Sequence, residues 1–264
     1  MSFLTLRQGS APLILSIPHA GTHIPEEFQP ALTSLWLARK DADWWLPELY
    51  QFAEDYDATI LYTAISRTVI DLNRDPSGIS LYPGQITTGL CPTTTFDGEP
   101  LYRADHEPSD TEILLRRVKY FDPYHETLRT EINRLRHLHH AITIYECHSI
   151  RSEIPRLFQG LLPNFNIGSN NDRSCDPTIT ERIAAICESD ERFSSIVNGR
   201  FRGGYITRHY GSPATGVNAI QLELACRGYM AEPSQPSPAN WPTPLDASPA
   251  ILPILRSIIE SLLP

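Results

Sequence analysis

Four short stretches of this chain carry side chains suited to hydrolytic chemistry, each at the edge of or within an apolar run: Pro18-His19-Ala20-Gly21, Asp71-Leu72-Asn73-Arg74, Glu146-Cys147-His148-Ser149 and Leu222-Glu223-Leu224. Two imidazoles, an Asn-Arg pair and a carboxylate between leucines are together the parts of a zinc hydrolase acting on an acidic substrate. Zinc takes imidazole and carboxylate ligands, three of them from the protein where a fourth position must admit water. His19 and His148 are the imidazole candidates. For the carboxylate, Asp43 in Asp41-Ala42-Asp43-Trp44 opens a predicted helix, where it would also serve as an N-cap, and Asp41, Glu26 and Glu146 stand beside it as alternatives. Glu146 precedes His148 by two, so on a strand both point to one face and the carboxylate can hold the imidazole from behind.

Glu223 is the candidate base. A carboxylate inside Ala219-Ile220-Gln221-Leu222-Glu223-Leu224-Ala225 is costly unless paired or used, and desolvation raises its pKa toward that of a group able to take a proton from water activated at the zinc. Arg67, Asn73 and Arg74 cluster near one predicted strand, and Arg151, with Arg156, follows His148 closely. Guanidinium groups grip carboxylates in a planar, two-pronged manner, so these residues are the candidate substrate clamp. Other chemistries have less behind them: the chain contains no GxSxG elbow, no GxGxxG and no GxxxxGK[ST].

The elements that must position these groups follow from hydropathy patterning. Short apolar runs predict strands at Leu13–Ile17, Thr59–Thr63, 69–72, 142–146, 195–198 and 219–224, alternating with predicted helices over 43–56, 111–138, 178–188 and 250–262. Asp110 is placed to cap the second helix, which Pro123 is expected to kink or split. The pattern implies one domain over residues 1–264, an α/β fold of three α/β/α layers with a mainly parallel sheet. In such sheets ligands gather beyond the carboxyl ends of the strands, where His19, Asn73, Arg74 and His148 are all expected. Long connections rich in Pro and Gly over 75–100 and in Pro over 233–244 read as functional loops, and the Gly-flanked stretch 203–211, which carries Tyr and Arg, is a candidate substrate lid.

A net charge of −9 argues against a nucleic-acid or anionic-membrane partner and requires local cations wherever an acidic substrate binds. There is no apolar run of membrane-spanning length and no signal-peptide pattern at the start. The five cysteines share no CxxC spacing, which fits reduced, buried thiols in a cytoplasmic protein.

With these motifs assembled, the chain resembles the N-formylglutamate amidohydrolase family. The resemblance rests on Pro18-His19-Ala20-Gly21, Asp41-Ala42-Asp43-Trp44, Ser66-Arg67 with Asp71-Leu72-Asn73-Arg74, Phe96-Asp97-Gly98-Glu99-Pro100-Leu101-Tyr102, His148-Ser149 with Arg151, Asn198-Gly199-Arg200-Phe201, Gly203-Gly204-Tyr205-Ile206-Thr207 and Gln221-Leu222-Glu223-Leu224, spread over about residues 10 to 230. It implies hydrolysis of N-formyl-L-glutamate to formate and L-glutamate, the last step of one histidine-degradation route. More distantly the motifs resemble those of the zinc carboxypeptidases, which implies a fold of the phosphorylase/hydrolase-like kind. That likeness implies His19 and His148 as ligands of Zn²⁺ or another divalent metal, Asn73 and Arg74 as the carboxylate clamp, and Glu223 as the base. The carboxypeptidases carry a ligating Glu three residues after the first His, and Thr22 stands there in this chain, so Asp43 is the expected third ligand. Two alternatives remain beside a deformylase: a related N-acyl amino acid deacylase, and a non-catalytic module that binds acidic amino acids.

Overall fold

In a computed structural model, which describes residues 2–81, 84–246 and 251–264, seven strands form one sheet. They are β1 (Leu4–Arg7), β2 (Leu13–Ile17), β3 (Thr59–Thr63), β4 (Ile142–Ile150), β5 (Phe165–Gly168), β6 (Ser195–Val197) and β7 (Val217–Ala225), in spatial order β1-β3-β2-β4-β7-β5-β6. Pairing is parallel through β3-β2-β4-β7 and between β5 and β6, and antiparallel at β1-β3 and β5-β7, so the sheet is mixed but mainly parallel as expected.

Side-chain alternation along the central strands fills both faces. Leu13, Leu15 and Ile17 of β2, with Cys147 of β4 and Leu222 of β7, join one apolar cluster with helices α5 (Pro177–Cys187) and α7 (Ile251–Ser261). Ile14, Ile144 and Ala219 face the other way, onto a second cluster built by helix α4 (Asp122–Leu138) through Tyr124, Leu128 and Leu135. Strands covered on both faces read as nearly continuous apolar runs, which is why β2, β4 and β7 stand out in the sequence. No helix among the described residues is long and apolar enough to cross a membrane.

Several expected elements differ. Residues 69–72 form no strand. Val69 and Ile70 donate backbone hydrogen bonds to the Ser66 carbonyl, and Val69, Ile70, Asp71 and Leu72 are all buried without alternation. A short apolar run cannot be told from a buried turn by periodicity, and here the Asp71 carboxylate accepts from the Asn73 amide and closes the turn. The helix expected over 43–56 is broken into α2 (Leu46–Leu49) and a 3-10 stretch, after α1 (Leu37–Lys40), because Trp45 sits in the left-handed region at φ 64° and Pro47 cannot donate. Helix α3 (Asp110–Arg116) is capped by Ser109, whose side chain accepts from the Glu112 amide, with Asp110 as its first helical residue. It runs into α4 through a π turn, Arg117–Phe121, that ends just before Pro123 and absorbs the missing donor. Strands β4 and β7 are longer than expected, and 195–198 shortens to Ser195–Val197. The edge strand β1 and the four-residue β5 carry too little pattern to be seen in advance. The final helix is described from Ile251 onward; the first residue of its expected span, Ala250, lies outside the described residues.

Candidate active site

The parallel pairing of β4 and β7 sets His148 directly beside Glu223. His19 lies two residues beyond β2, in the turn that leaves the sheet. Asp43, fully buried, arrives from the segment after α1 and is locked there by its own amide, which donates to the His19 carbonyl at 3.0 Å. One ligand atom from each of His19, Asp43 and His148 lies within 4.8 Å of the others, a group able to hold a metal ion.

The hydrogen-bond pattern behind this group fixes which atoms face inward. His19 Nε2 lies 2.7 Å from Asp71 Oδ1, and His148 Nε2 lies 2.7 Å from Glu146 Oε1. An ionised carboxylate only accepts, so each Nε2 is turned to donate to its carboxylate, the Asn73 side-chain nitrogen also lying 3.0 Å from His148 Nε2, and each Nδ1 is the atom that faces Asp43. Asp43 Oδ2 is 3.0 Å from His148 Nδ1 and 3.7 Å from His19 Nδ1, and it also accepts from the Ser149 amide at 3.2 Å. Lone pairs facing a carboxylate repel unless a proton or a metal ion sits between them. Asp43 Oδ1 is buried with no hydrogen-bond partner among the described residues, and Arg67 lies 3.6 Å from it. Two imidazole nitrogens, a carboxylate with an unused oxygen and carboxylate-oriented rings are the donor set of a divalent cation such as zinc, so the residues fit the implied metal.

Charge is concentrated here. Burial alone would raise the Asp43 carboxyl, but the His148 and His19 rings outweigh it and hold it below the usual range. Burial would likewise raise Asp71, yet Arg74, His19 and Arg67 bring it well below. Arg67 reaches Asp71 Oδ2 at 2.7 Å, and Arg74 lies 3.6 Å from the same oxygen while its Nε and a terminal nitrogen donate to Thr88. For His148, burial disfavours the charged form, but Glu146 and Asp43 raise its pKa well above the ordinary value. Glu223 departs in the opposite sense from Asp43: desolvation dominates, only partly offset by His148, and its carboxyl is raised to about 7.

His19, Arg67, Asn73, Arg74, His148 and Glu223 line one cleft together with Phe96, Gln221, Arg156 and Arg200. The structure thus brings His19, Asp43, Arg67, Asn73, Arg74, His148 and Glu223 together, while Arg151 is turned away and pairs with Asp97 at 2.6 Å. Of the alternative carboxylates, Glu146 stands behind His148, Asp41 accepts from the Phe96 amide, and Glu26 is exposed. Thr22 contributes a carbonyl to Arg39.

Helix α6 (Tyr205–Tyr210) occupies the segment expected to form a lid. Its N-terminal amides are bound to the site: Gly204 donates to Gln221, Ile206 to Asn73 Oδ1 and Thr207 to Glu146 Oε2, where the Thr207 hydroxyl donates as well. A Cβ on Gly204 would lie 2.2 Å from the Asn73 side-chain nitrogen Nδ2, so only glycine permits this approach. Thr207 and Gln221 were not legible as site residues. The period-two pairing of Gln221 with Glu223 was the one available signal.

Comparison with known proteins gives a consistent picture. The sequence model of the N-formylglutamate amidohydrolase family matches residues 11–230. A Pseudomonas putida protein named N-formylglutamate deformylase is 45% identical over 229 residues, spanning 87% of this chain and 85% of the relative. A Pseudomonas aeruginosa protein of the same name is 42% identical over 260 residues, spanning 98% and 96%. The crystal structure of N-formylglutamate amidohydrolase from Ralstonia eutropha JMP134 is alike in fold, with a TM-score of 0.78 at 21% identity over 100% of this chain and 96% of that one. The likeness to zinc carboxypeptidases rests on the sequence motifs alone.

Proposed function

The chain belongs to the N-formylglutamate amidohydrolase family, and from that premise we propose that it hydrolyses N-formyl-L-glutamate to formate and L-glutamate. The observation that carries this reading is Glu223, a carboxylate raised to about 7, set beside His148 in a cleft walled by arginines. In this reading His19, Asp43 and His148 hold Zn²⁺ or another divalent cation, which when bound supplies electrophilic chemistry to the formyl carbonyl and to water. Glu223 accepts a proton from water as its oxygen attacks the formyl carbon. It returns that proton to the nitrogen of the departing amine as the C–N bond breaks. Glu146 and Asp71 keep the two imidazoles oriented, and Thr207 keeps Glu146 in place. The five free, buried thiols support a reducing, cytoplasmic setting.

The test is formate release from N-formyl-L-glutamate by the purified, zinc-supplemented protein. Turnover supports the reading. Binding of the substrate without turnover moves it to the non-catalytic module, and turnover confined to other N-acyl amino acids moves it to a related deacylase.

Asn73 and Arg74 grip one substrate carboxylate in this reading. Arg74→Ala should raise KM about 10- to 100-fold, the worth of a lost charge-assisted hydrogen bond, while kcat changes little. Steady-state kinetics separate the two. A fall in kcat at constant KM would mean that Arg74 serves the reacting atoms instead of holding the substrate.

A further inference from the structure

Resting on the proposed activity, we propose that Arg156 is the specificity-determining residue of the cleft, the cation that receives the second carboxylate of the substrate and rejects neutral side chains. A dicarboxylate brings two negative charges to a protein that already carries −9. Most guanidiniums around the cleft are committed. Arg67 is paired with Asp71 at 2.7 Å and stands 3.6 Å from Asp43. Arg74, which also donates to Thr88, is given to the first substrate carboxylate in the proposed reading, Arg151 is held by Asp97, and Arg200 donates to the carbonyls of Leu157 and Ile86.

Arg156 differs. It lines the same cleft and is exposed, and among the described residues no carboxylate lies within ion-pair distance of it. One terminal nitrogen reaches the carbonyls of Thr95 and Phe96, both at the long limit of 3.5 Å. No carboxylate of the protein therefore has to be displaced from it when a substrate carboxylate arrives.

The chain has also made room for it. Gly98, in the left-handed region at φ 94°, closes the turn that begins at Thr95, and a Cβ there would stand 3.2 Å from Arg156 Cδ and Nε. That turn is anchored from below, where Asp97 pairs with Lys40 and Arg151. The turn beside Arg156 is thus fixed, while its guanidinium is held only by two long contacts to carbonyls. With Asn73 and Arg74 on one carboxylate, Arg156 takes the other.

The experiment is steady-state hydrolysis of N-formyl-L-glutamate and N-formyl-L-glutamine by the zinc-loaded wild type, Arg156→Ala, Arg156→Lys and Arg156→Glu. For Arg156→Ala, kcat/KM on the glutamate substrate should fall about tenfold or more, through KM, while the value on the glutamine substrate stays within about twofold. The preference for glutamate over glutamine then collapses, returns in part with Arg156→Lys and reverses with Arg156→Glu. An unchanged glutamate-to-glutamine ratio in Arg156→Ala, beside an active wild type, overturns the inference and leaves the activity standing. A wild type inactive on both substrates overturns the activity and this inference with it.

Discussion

Glu223→Gln should lower kcat by about a hundredfold or more, the usual worth of a positioned general base, and leave KM nearly unchanged. The amide keeps the shape of the side chain and its neighbours but cannot take a proton from water. The same substitution should stabilise the metal-free protein. The carboxyl, raised to about 7 from an ordinary 4.5, binds its proton more tightly in the folded chain than in the unfolded one. Its contribution to stability is therefore complete below about 4.5 and is lost as pH rises through 7. Above that range the buried charge costs the fold roughly 3 kcal/mol, and an uncharged amide escapes the cost. Thermal unfolding at pH 8 should give the variant a melting temperature several degrees above wild type, with the gap closing toward pH 4. A bound cation draws the Glu223 pKa down, so the acid limb of kcat/KM for the loaded enzyme falls at or below pH 7 and is missing from the variant. A residue whose removal costs turnover and adds stability is held there for chemistry. Normal turnover in Glu223→Gln, or a lower melting temperature at pH 8, would sink that assignment.

What could be read in advance follows from which contacts are local. Strands β2, β4 and β7 were visible because burial on both faces leaves them apolar throughout, and a histidine or glutamate in such a setting stands out. The meeting of His148 with Glu223 was not visible, since it depends on the register between two strands far apart in the chain. Residues 69–72 looked like a strand because four buried side chains in a row carry no period, whereas their shape is set by Asp71 binding the Asn73 amide, His19 and Arg67. Asp43 was one of four candidate carboxylates until its amide was seen donating to the His19 carbonyl, a bond that places its side chain where Thr22 offers none. Arg151, expected to add a cation to the same rim, lies outside the cleft lining and pairs with Asp97. His148 and Ile150 line the cleft, and the residue after Ile150 turns the other way, onto Asp97. Thr207 escaped notice because its role is to hold Glu146, and nothing in Gly203-Gly204-Tyr205-Ile206-Thr207 announces a partner on another strand.

Removing bound metal should abolish formate release, to below about a hundredth of the loaded rate, and zinc should restore it. Four buried acidic side chains, Asp43, Asp71, Glu146 and Glu223, surround the two guanidiniums of Arg67 and Arg74. With neutral imidazoles and Glu223 ionised, these six groups carry two more negative than positive charges, an excess that a divalent cation would offset. Without the cation, protons must do so, and His148, raised well above its ordinary value by Glu146 and Asp43 against the cost of burial, is the group that takes one. Metal and proton then compete for the same nitrogen, so affinity for zinc should weaken as pH falls, and zinc binding near pH 7 should release a proton, measurable by calorimetry in buffers of different ionisation enthalpy. The loaded protein should also melt higher, by an amount that grows with free zinc, because the folded chain gathers ligands the unfolded chain leaves scattered. Full turnover in protein shown by elemental analysis to hold no metal would sink the zinc reading while leaving Glu223 as base. Zinc binding that releases no proton and does not weaken on acidification would instead mean that the ion sits elsewhere than on the His148 Nδ1 facing Asp43.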